Sequence, residues 1–238
     1  MQKNSDFDNI DTYLFKDRID AANKLLEVLP KEMLKKEEWL ILALSKGGAV
    51  ISSIISKELD LNFDLFIVEP ILAPKNDECE IAMVSESRDI VMHEALINSF
   101  EIDEEYIYEE ANRVYKNKIE SVISRYRYSL PLPDLKNRSI LLVDEGIESG
   151  LRTMCAIKSV LNMDIKKVSI AVPMIDRGIF HELDMKVDSI YTCKKVDNFI
   201  RTDYYYEEIE KIKRKKFEYI LKSSENFLPN IKGEANEP

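Results

Sequence analysis

Apolar positions along the 238-residue chain fall into two alternating patterns. The first is the short, nearly continuous apolar run. It occurs in "WLILALS" (Trp39 to Ser45), "FDLFIVE" (Phe63 to Glu69), "SILLVDE" (Ser139 to Glu145), "KVSIAVP" (Lys167 to Pro173) and "VDSIYTC" (Val187 to Cys193). Runs of this length predict strands buried on both faces, as in a parallel sheet. The second pattern has helical period. "FKDRIDAANKLLEVL" (Phe15 to Leu29) puts Ile19, Ala22, Leu25, Leu26 and Leu29 on one face, and "AVISSIISKEL" restarts a helix after Lys46-Gly47-Gly48. Glu104 to Tyr126 reads as a long charged helix, with further helices over Leu151 to Asn162, near Ile175 to Leu183, and over Tyr204 to Leu221. Cys79 to Met92 alternates weakly and predicts a hairpin, while Pro70 and Pro74 are expected to end the second strand.

Strand and helix alternate through most of the chain, which predicts an α/β fold with a mainly parallel sheet covered by helices on both faces. One domain is expected over residues 15–224, with an insertion near 75–135. Residues 1–14 are expected to be loosely ordered, and 225–238 to form a flexible tail.

Charge narrows the choice of partners. The 34 basic against 44 acidic residues give a net charge of −10, which argues against a general polyanion binder such as a nucleic-acid protein. The basic run Lys211 to Lys216 reads as a solvated helix face. The cysteines, Cys79, Cys155 and Cys193, are three and widely spaced, a poor match to a zinc site or disulfide framework. No apolar run approaches the ~18 residues that cross a bilayer. The start "MQKNSDFDNIDTY" has no apolar signal core. A reduced, cytoplasmic protein without membrane or nucleic-acid partners is the expectation.

The stretch "SILLVDEGIESGLRTMCAIKSV" (Ser139 to Val160) carries the clearest chemistry. A buried strand ends on Asp144 and Glu145, and the loop Gly146-Ile147-Glu148-Ser149-Gly150 leads into a helix. Ligands in such sheets bind beyond the carboxyl ends of strands. A loop entering a helix start aims several N–H groups at one anion. Ser149, Arg152 and Thr153 add donors suited to phosphate oxygens. Carboxylates that accept sugar hydroxyls beside a phosphate loop are what a ribose 5-phosphate requires. Walker and dinucleotide glycine patterns are absent. The alternative of an acidic β-to-α turn without ligand is not excluded by this segment alone.

"ILLVDEGIESGLRT" resembles the phosphoribosyl-pyrophosphate motif of type I phosphoribosyltransferases, and "LALSKGGAVISSIISKEL" resembles that family's pyrophosphate loop. "FKDRIDAANKLLEVL" and "VDNFIRTDYYYEEIEKI" resemble the ends of a bacterial subfamily of predicted phosphoribosyltransferases, so the likeness runs over residues 14–212. The resemblance implies a sheet of about five strands, a small hood and a mobile hairpin and helix insertion. It implies transfer of ribose 5-phosphate from phosphoribosyl pyrophosphate to a nitrogen acceptor, usually a nucleobase, with Mg²⁺. Asp144 and Glu145 would hold the ribose hydroxyls, and Gly146, Ile147, Glu148, Ser149, Gly150, Leu151, Arg152 and Thr153 the 5′-phosphate. Ser45, Lys46, Gly47 and Gly48 would line the pyrophosphate. Lys46 would act on the leaving group and Glu148 as base. Phe199 or Tyr204 would stack on the acceptor base. Mg²⁺ would be held through the ligand, with Asp144 and Glu145 its nearest carboxylates. A homodimer is expected because members often pair.

Some residues depart from that pattern. Glu145 is one methylene longer than the usual Asp. An inward Glu148 about 5 Å from a phosphate would be repelled by roughly 3 kcal/mol at an effective dielectric near 20. Glu69 and Pro70 stand where basic residues are expected, leaving Lys75 nearby. These departures keep open a non-catalytic sensor of phosphoribosyl pyrophosphate or a nucleotide. A Rossmann-like methyltransferase fits the glycine spacing less well.

Overall fold

The five apolar runs each give a strand to the parallel sheet, the second of them through its first half only. The computed structural model describes residues 13–234, so most of the expected loose N-terminus lies outside the described residues. Two helices open the chain, α1 (Arg18–Val28) and α2 (Lys31–Lys36), followed by β1 (Leu40–Ala43), α3 (Lys46–Leu59) and β2 (Phe63–Leu65). The insertion then contributes β3 (Val68–Ala73), β4 (Asn76–Ser85), β5 (Ile90–Met92), α4 (Glu94–Ser99) and α5 (Glu104–Val114). A π-helical turn at Tyr115–Ile119 joins α5 to α6 (Glu120–Tyr126). The chain returns through β6 (Ser139–Val143), α7 (Leu151–Leu161), β7 (Lys167–Asp176), α8 (Arg177–Asp184) and β8 (Ser189–Val196). After a 3-10 turn at Thr202–Tyr205 it closes with α9 (Arg214–Lys222) and α10 (Leu228–Glu234).

The main sheet has the order β2-β1-β6-β7-β8 and is parallel throughout. Its central strands are buried on both faces, as their unbroken apolar sequences require. Ile41, Ala43, Leu141 and Val143 pack into one core with α1 and α3 residues, while Leu40, Leu42, Ile140 and Leu142 pack into another with α7 residues. The chain winds one way from β1 to β2 and the other way from β6 to β8. The switch falls between β1 and β6, where open α/β sheets form their crevice.

Five expectations are corrected. "FDLFIVE" is not one strand: β2 stops at Leu65, and Val68 begins β3 of a separate three-stranded antiparallel sheet, β3-β4-β5. Pro70 lies inside β3, opposite Met83, which an edge strand tolerates because one side of its backbone needs no donor. Ile19 is 57% exposed, since the buried face of α1 is formed by Ala21, Ala22, Leu25 and Leu26. The helix expected over Tyr204 to Leu221 begins only at Arg214, because Tyr205 and Tyr206 anchor the preceding strap by burying their rings. Finally, residues just past 224 are packed rather than a loose tail. Phe227 is 1% exposed with its ring centroid 5.1 Å from that of Phe63, and the Asn226 carbonyl accepts the Phe63 N–H at 2.9 Å.

The insertion is anchored by a buried ion pair. The Arg127 guanidinium, just after α6, meets Glu86 at the end of β4, and the Glu86 carboxylate also accepts the Ile67 N–H at 2.8 Å. Arg127 Nε and Nη1 are buried without a hydrogen-bond partner.

Candidate functional site

Parallel pairing of β1 with β6 brings the residues after their carboxyl ends together. Ser45 caps α3: its Oγ accepts the Gly48 N–H at 2.9 Å and donates to Asp144 Oδ1. Asp144 also accepts the Glu145 N–H at 2.8 Å, and its Oδ2 lies 3.9 Å from Arg152 Nη1. Burial raises the pKa of the Asp144 carboxyl above the ordinary range, against the opposing pull of Arg152 and the Ser45 hydroxyl.

Glu145 turns the other way. Arg18 Nε, on α1, lies 2.6 Å from Glu145 Oε2, and the Tyr206 hydroxyl donates to the Glu145 carbonyl at 2.8 Å. Burial pushes the Glu145 pKa up, Arg18 draws it down, and Asp144 pushes it up again. The carboxylate rests against the first turn of α3, where a Cβ at Gly47 would overlap Glu145 Oε2. A Cβ at Gly48 would fall 2.6 Å from the Val143 carbonyl oxygen. The Gly-Gly pair is therefore what lets α3 start this close to β6.

The 146–150 loop is held by β7. Ile147 N–H donates to the Met174 carbonyl at 3.1 Å, and Asp176 N–H donates to the Ile147 carbonyl at 2.9 Å. Gly150, at φ +71°, turns the chain into α7, and no side chain caps that helix start. Thr153 is buried in its first turn. A cavity of about 500 Å³ opens here. Asp144 and residues 146–153 line one side of it, Thr202 another, and Glu78, Glu80, Met83, His93 and Leu96 of the insertion a third. Arg152 Nε is buried there without a hydrogen-bond partner. Glu148 is exposed on this wall. Partial burial raises its pKa, the Thr202 backbone lowers it, and Glu80 and Asp203 raise it.

Lys46 is not among the residues that line this cavity. Its Nζ is 5.8 Å from the Phe217 ring centroid, and it lines a smaller cavity of about 100 Å³ with Ser45, Glu69, Tyr126 and Phe217. Glu69 is not bare of cations. Burial raises its pKa, whereas Lys118, Arg152 and Lys46 act to lower it. Lys118 comes from the π-helical turn, so the insertion brings a cation to the segment where Glu69 and Pro70 replace basic residues.

The structure thus brings together Ser45, Lys46, Gly47, Gly48 and the whole of 144–153. It does not bring the two stacking candidates to the cavity lining. Phe199 and Tyr204 each pack edge-on against Tyr205, at centroid distances of 5.0 and 5.3 Å. His93 does line the cavity, with Nδ1 accepting the Leu96 N–H at 3.3 Å. Sequence reading missed Arg18, Lys118 and Glu80. The motif around Arg18 was visible, but nothing local pairs it with Glu145. Among the described residues, no helix is long and apolar enough to cross a membrane.

Residues 13–208 match the sequence model of the family described as phosphoribosyl transferase domain. Two Mycobacterium tuberculosis proteins, from strains H37Rv and CDC 1551, carry the provisional name phosphoribosyl transferase. Each is 24% identical over 161 residues, covering 68% of this chain and 36% of its own. The chain therefore spans about a third of the length of these curated relatives, 36%. The crystal structure of TT1426 from Thermus thermophilus superposes with a TM-score of 0.70 at 25% identity, over 88% of this chain and 98% of that one.

Proposed function

Because this chain belongs to the phosphoribosyl transferase domain family, we propose that it transfers ribose 5-phosphate from phosphoribosyl pyrophosphate to a nitrogen acceptor, with a nucleobase the first class to test. The observation that carries this reading is the position of Asp144. It is buried beside the capped start of α3 and faces a cavity of about 500 Å³ with the 146–153 loop.

In this reading Asp144 accepts a ribose hydroxyl, while the N–H groups of residues 148–150 and of the uncapped α7 start hold the 5′-phosphate with Ser149 and Thr153. Arg152, whose Nε lacks a hydrogen-bond partner, completes that cradle. The pyrophosphate leaves toward Lys46 and the first turn of α3, where N–H groups and the Lys46 charge stabilise it as the glycosidic bond breaks. Glu148 has a raised pKa and stands on the cavity wall, which suits a base that takes the proton of the incoming nitrogen.

Mg²⁺ fits this donor set as an ion carried by the ligand. Among the described residues no group of three His, Cys, Asp or Glu side chains converges on one point, and the nearest carboxylates, Asp144 and Glu145, are already engaged by Ser45, Arg152 and Arg18. When bound, the ion would neutralise the diphosphate. Its protein contacts would be few, with Asp144 the carboxylate that faces the cavity.

A non-catalytic sensor is the second reading. It is favoured by Glu69 and Pro70 standing where the resemblance expects basic residues, with the Glu69 carboxylate drawing on the cations Lys118, Arg152 and Lys46. Calorimetric titration of phosphoribosyl pyrophosphate, with and without Mg²⁺, followed by a nucleobase screen for pyrophosphate release, separates these readings. Micromolar binding with release supports the transferase. Binding without release across the screen supports the sensor, and no binding at millimolar ligand overturns both. In the transferase, Glu148→Ala is expected to lower kcat by about 10²-fold or more with ligand affinity kept.

A further inference from the structure

We propose that Arg18 is a positioning residue for the pyrophosphate end of the site: it neutralises Glu145, whose carboxylate would otherwise repel the anion at the first turn of α3. The inference rests on the phosphoribosyl reading above and adds a residue to it.

Four observations meet on this pair. The Arg18 Nε to Glu145 Oε2 distance is 2.6 Å, and Arg18 Nη1 also donates to the Glu210 carbonyl at 3.0 Å, which holds the guanidinium from a second side. The pair is largely withdrawn from solvent, with side-chain exposures of 14% and 22%. The Glu145 backbone is fixed independently by the Tyr206 hydroxyl at 2.8 Å. The carboxylate occupies the space beside Gly47 so closely that a Cβ there would overlap its atoms.

The length of Glu145 now has a physical consequence. An acid ending one strand residue beyond Asp144 meets two demands: it must stay clear of the cavity and must not leave a bare charge beside an anion site. The extra methylene relative to Asp lets it reach Arg18 at the start of α1. A carboxylate this close to the start of α3 shares that turn with any polyanion bound there, and like charges in a partly dry environment oppose one another. Arg18 is the cation in direct contact with Glu145, while Arg152 is the other positive group that acts on it and Asp144 the like charge beside it. Removing Arg18 therefore leaves Glu145 uncompensated where pyrophosphate must dock. The 5′-phosphate loop is a separate segment, so ribose 5-phosphate is affected less.

The test is a charge cycle read by calorimetry on the full chain, with inorganic pyrophosphate, phosphoribosyl pyrophosphate and ribose 5-phosphate as probes. Thermal melting of each variant is recorded alongside. Arg18→Ala is expected to weaken both diphosphate-bearing probes by about tenfold or more, as one uncompensated nearby charge does, and ribose 5-phosphate by less. Adding Glu145→Gln to Arg18→Ala is expected to restore diphosphate affinity to within about threefold of the wild type, because the repulsive charge is gone. Arg18→Lys, which keeps the charge, should stay near wild type. Diphosphate binding unchanged in Arg18→Ala overturns the proposal. So does a loss that Glu145→Gln fails to restore, which would make Arg18 structural or a direct ligand. If Arg18→Ala does not fold, Glu145→Gln alone decides: kept or tighter pyrophosphate binding supports the role, and weaker binding overturns it. A wild type that binds none of the three probes overturns the phosphoribosyl reading and the Arg18 role together, a result distinct from any failure within the cycle.

Discussion

Asp144 and Glu145 are adjacent in the chain yet live in different surroundings. Asp144 faces Ser45, Arg152 and the cavity, whereas Glu145 is drawn to Arg18. That two acids end the strand was legible from "VDEG"; their opposite directions were not, because side-chain direction there depends on cations from α1 and α7. The buried Asp144 carries a consequence for pH. Its pKa is raised by burial, so between the ordinary carboxylate range and the raised value the folded protein binds a proton that the unfolded chain has released. This group's contribution to stability therefore falls as pH rises through that window. Asp144→Asn removes the ionisation while an amide oxygen still accepts from Ser45. The variant is expected to lose less stability than the wild type as pH rises above the ordinary carboxylate range, and to bind phosphoribosyl pyrophosphate at least about tenfold more weakly. Melting temperatures across that rise check the first point, with parallel profiles counting against it, and calorimetry checks the second.

Elements meet closely where α3 starts against the end of β6. The glycines at 47 and 48 were visible in sequence as a break between a strand and a helix, and the structure shows the break to be a contact. The two positions differ in what a methyl group would strike. At Gly48 it meets backbone, the Val143 carbonyl oxygen at 2.6 Å and Asp144 Cα at 2.9 Å. At Gly47 it meets the far end of the Glu145 side chain, which can swing away. Gly48→Ala should therefore cost about 3 kcal/mol in urea denaturation and Gly47→Ala about 1 kcal/mol. The reverse order would show that the backbone gives more readily than the Arg18–Glu145 pair. The insertion was only partly legible. Its weak alternation announced a hairpin, but β3 was hidden because Phe66 and Ile67, where the chain changes sheet, are as apolar as the strand residues on either side.

Across the whole molecule, the C-terminal segment closes the β2 edge of the sheet. Phe227 stacks on Phe63, Asn226 donates to the Ser56 carbonyl at 2.9 Å, and the Asn226 carbonyl takes the Phe63 N–H. Polar neighbours on both sides disguised this segment as a tail. Phe227→Ala is expected to destabilise the fold by about 3–5 kcal/mol, the range for a buried aromatic truncated in a core. Hydrogen exchange should show the loss first at β2. Unchanged protection there would mean that the edge closes without its C-terminal cover. The strap before α9 differs for the converse reason. Its sequence reads as helix from Tyr204 onward, yet Tyr205 and Tyr206 are buried in an irregular segment, and Tyr206 carries the hydroxyl that fixes Glu145.

By itself the sequence determined the α/β class, the order of the parallel strands' elements, and the strand end where an acid pair meets a small-residue loop. These are local properties: apolar run length sets the strand, glycine and small residues set the loop, and neither needs a distant partner. Only the tertiary structure decided which carboxylate faces the cavity, that Lys118 stands near Glu69, and that Phe227 belongs to the core. Such pairings join residues far apart, 127 positions in the case of Arg18 and Glu145. Their energy depends on burial and on the direction of charged groups across elements, which no local period records.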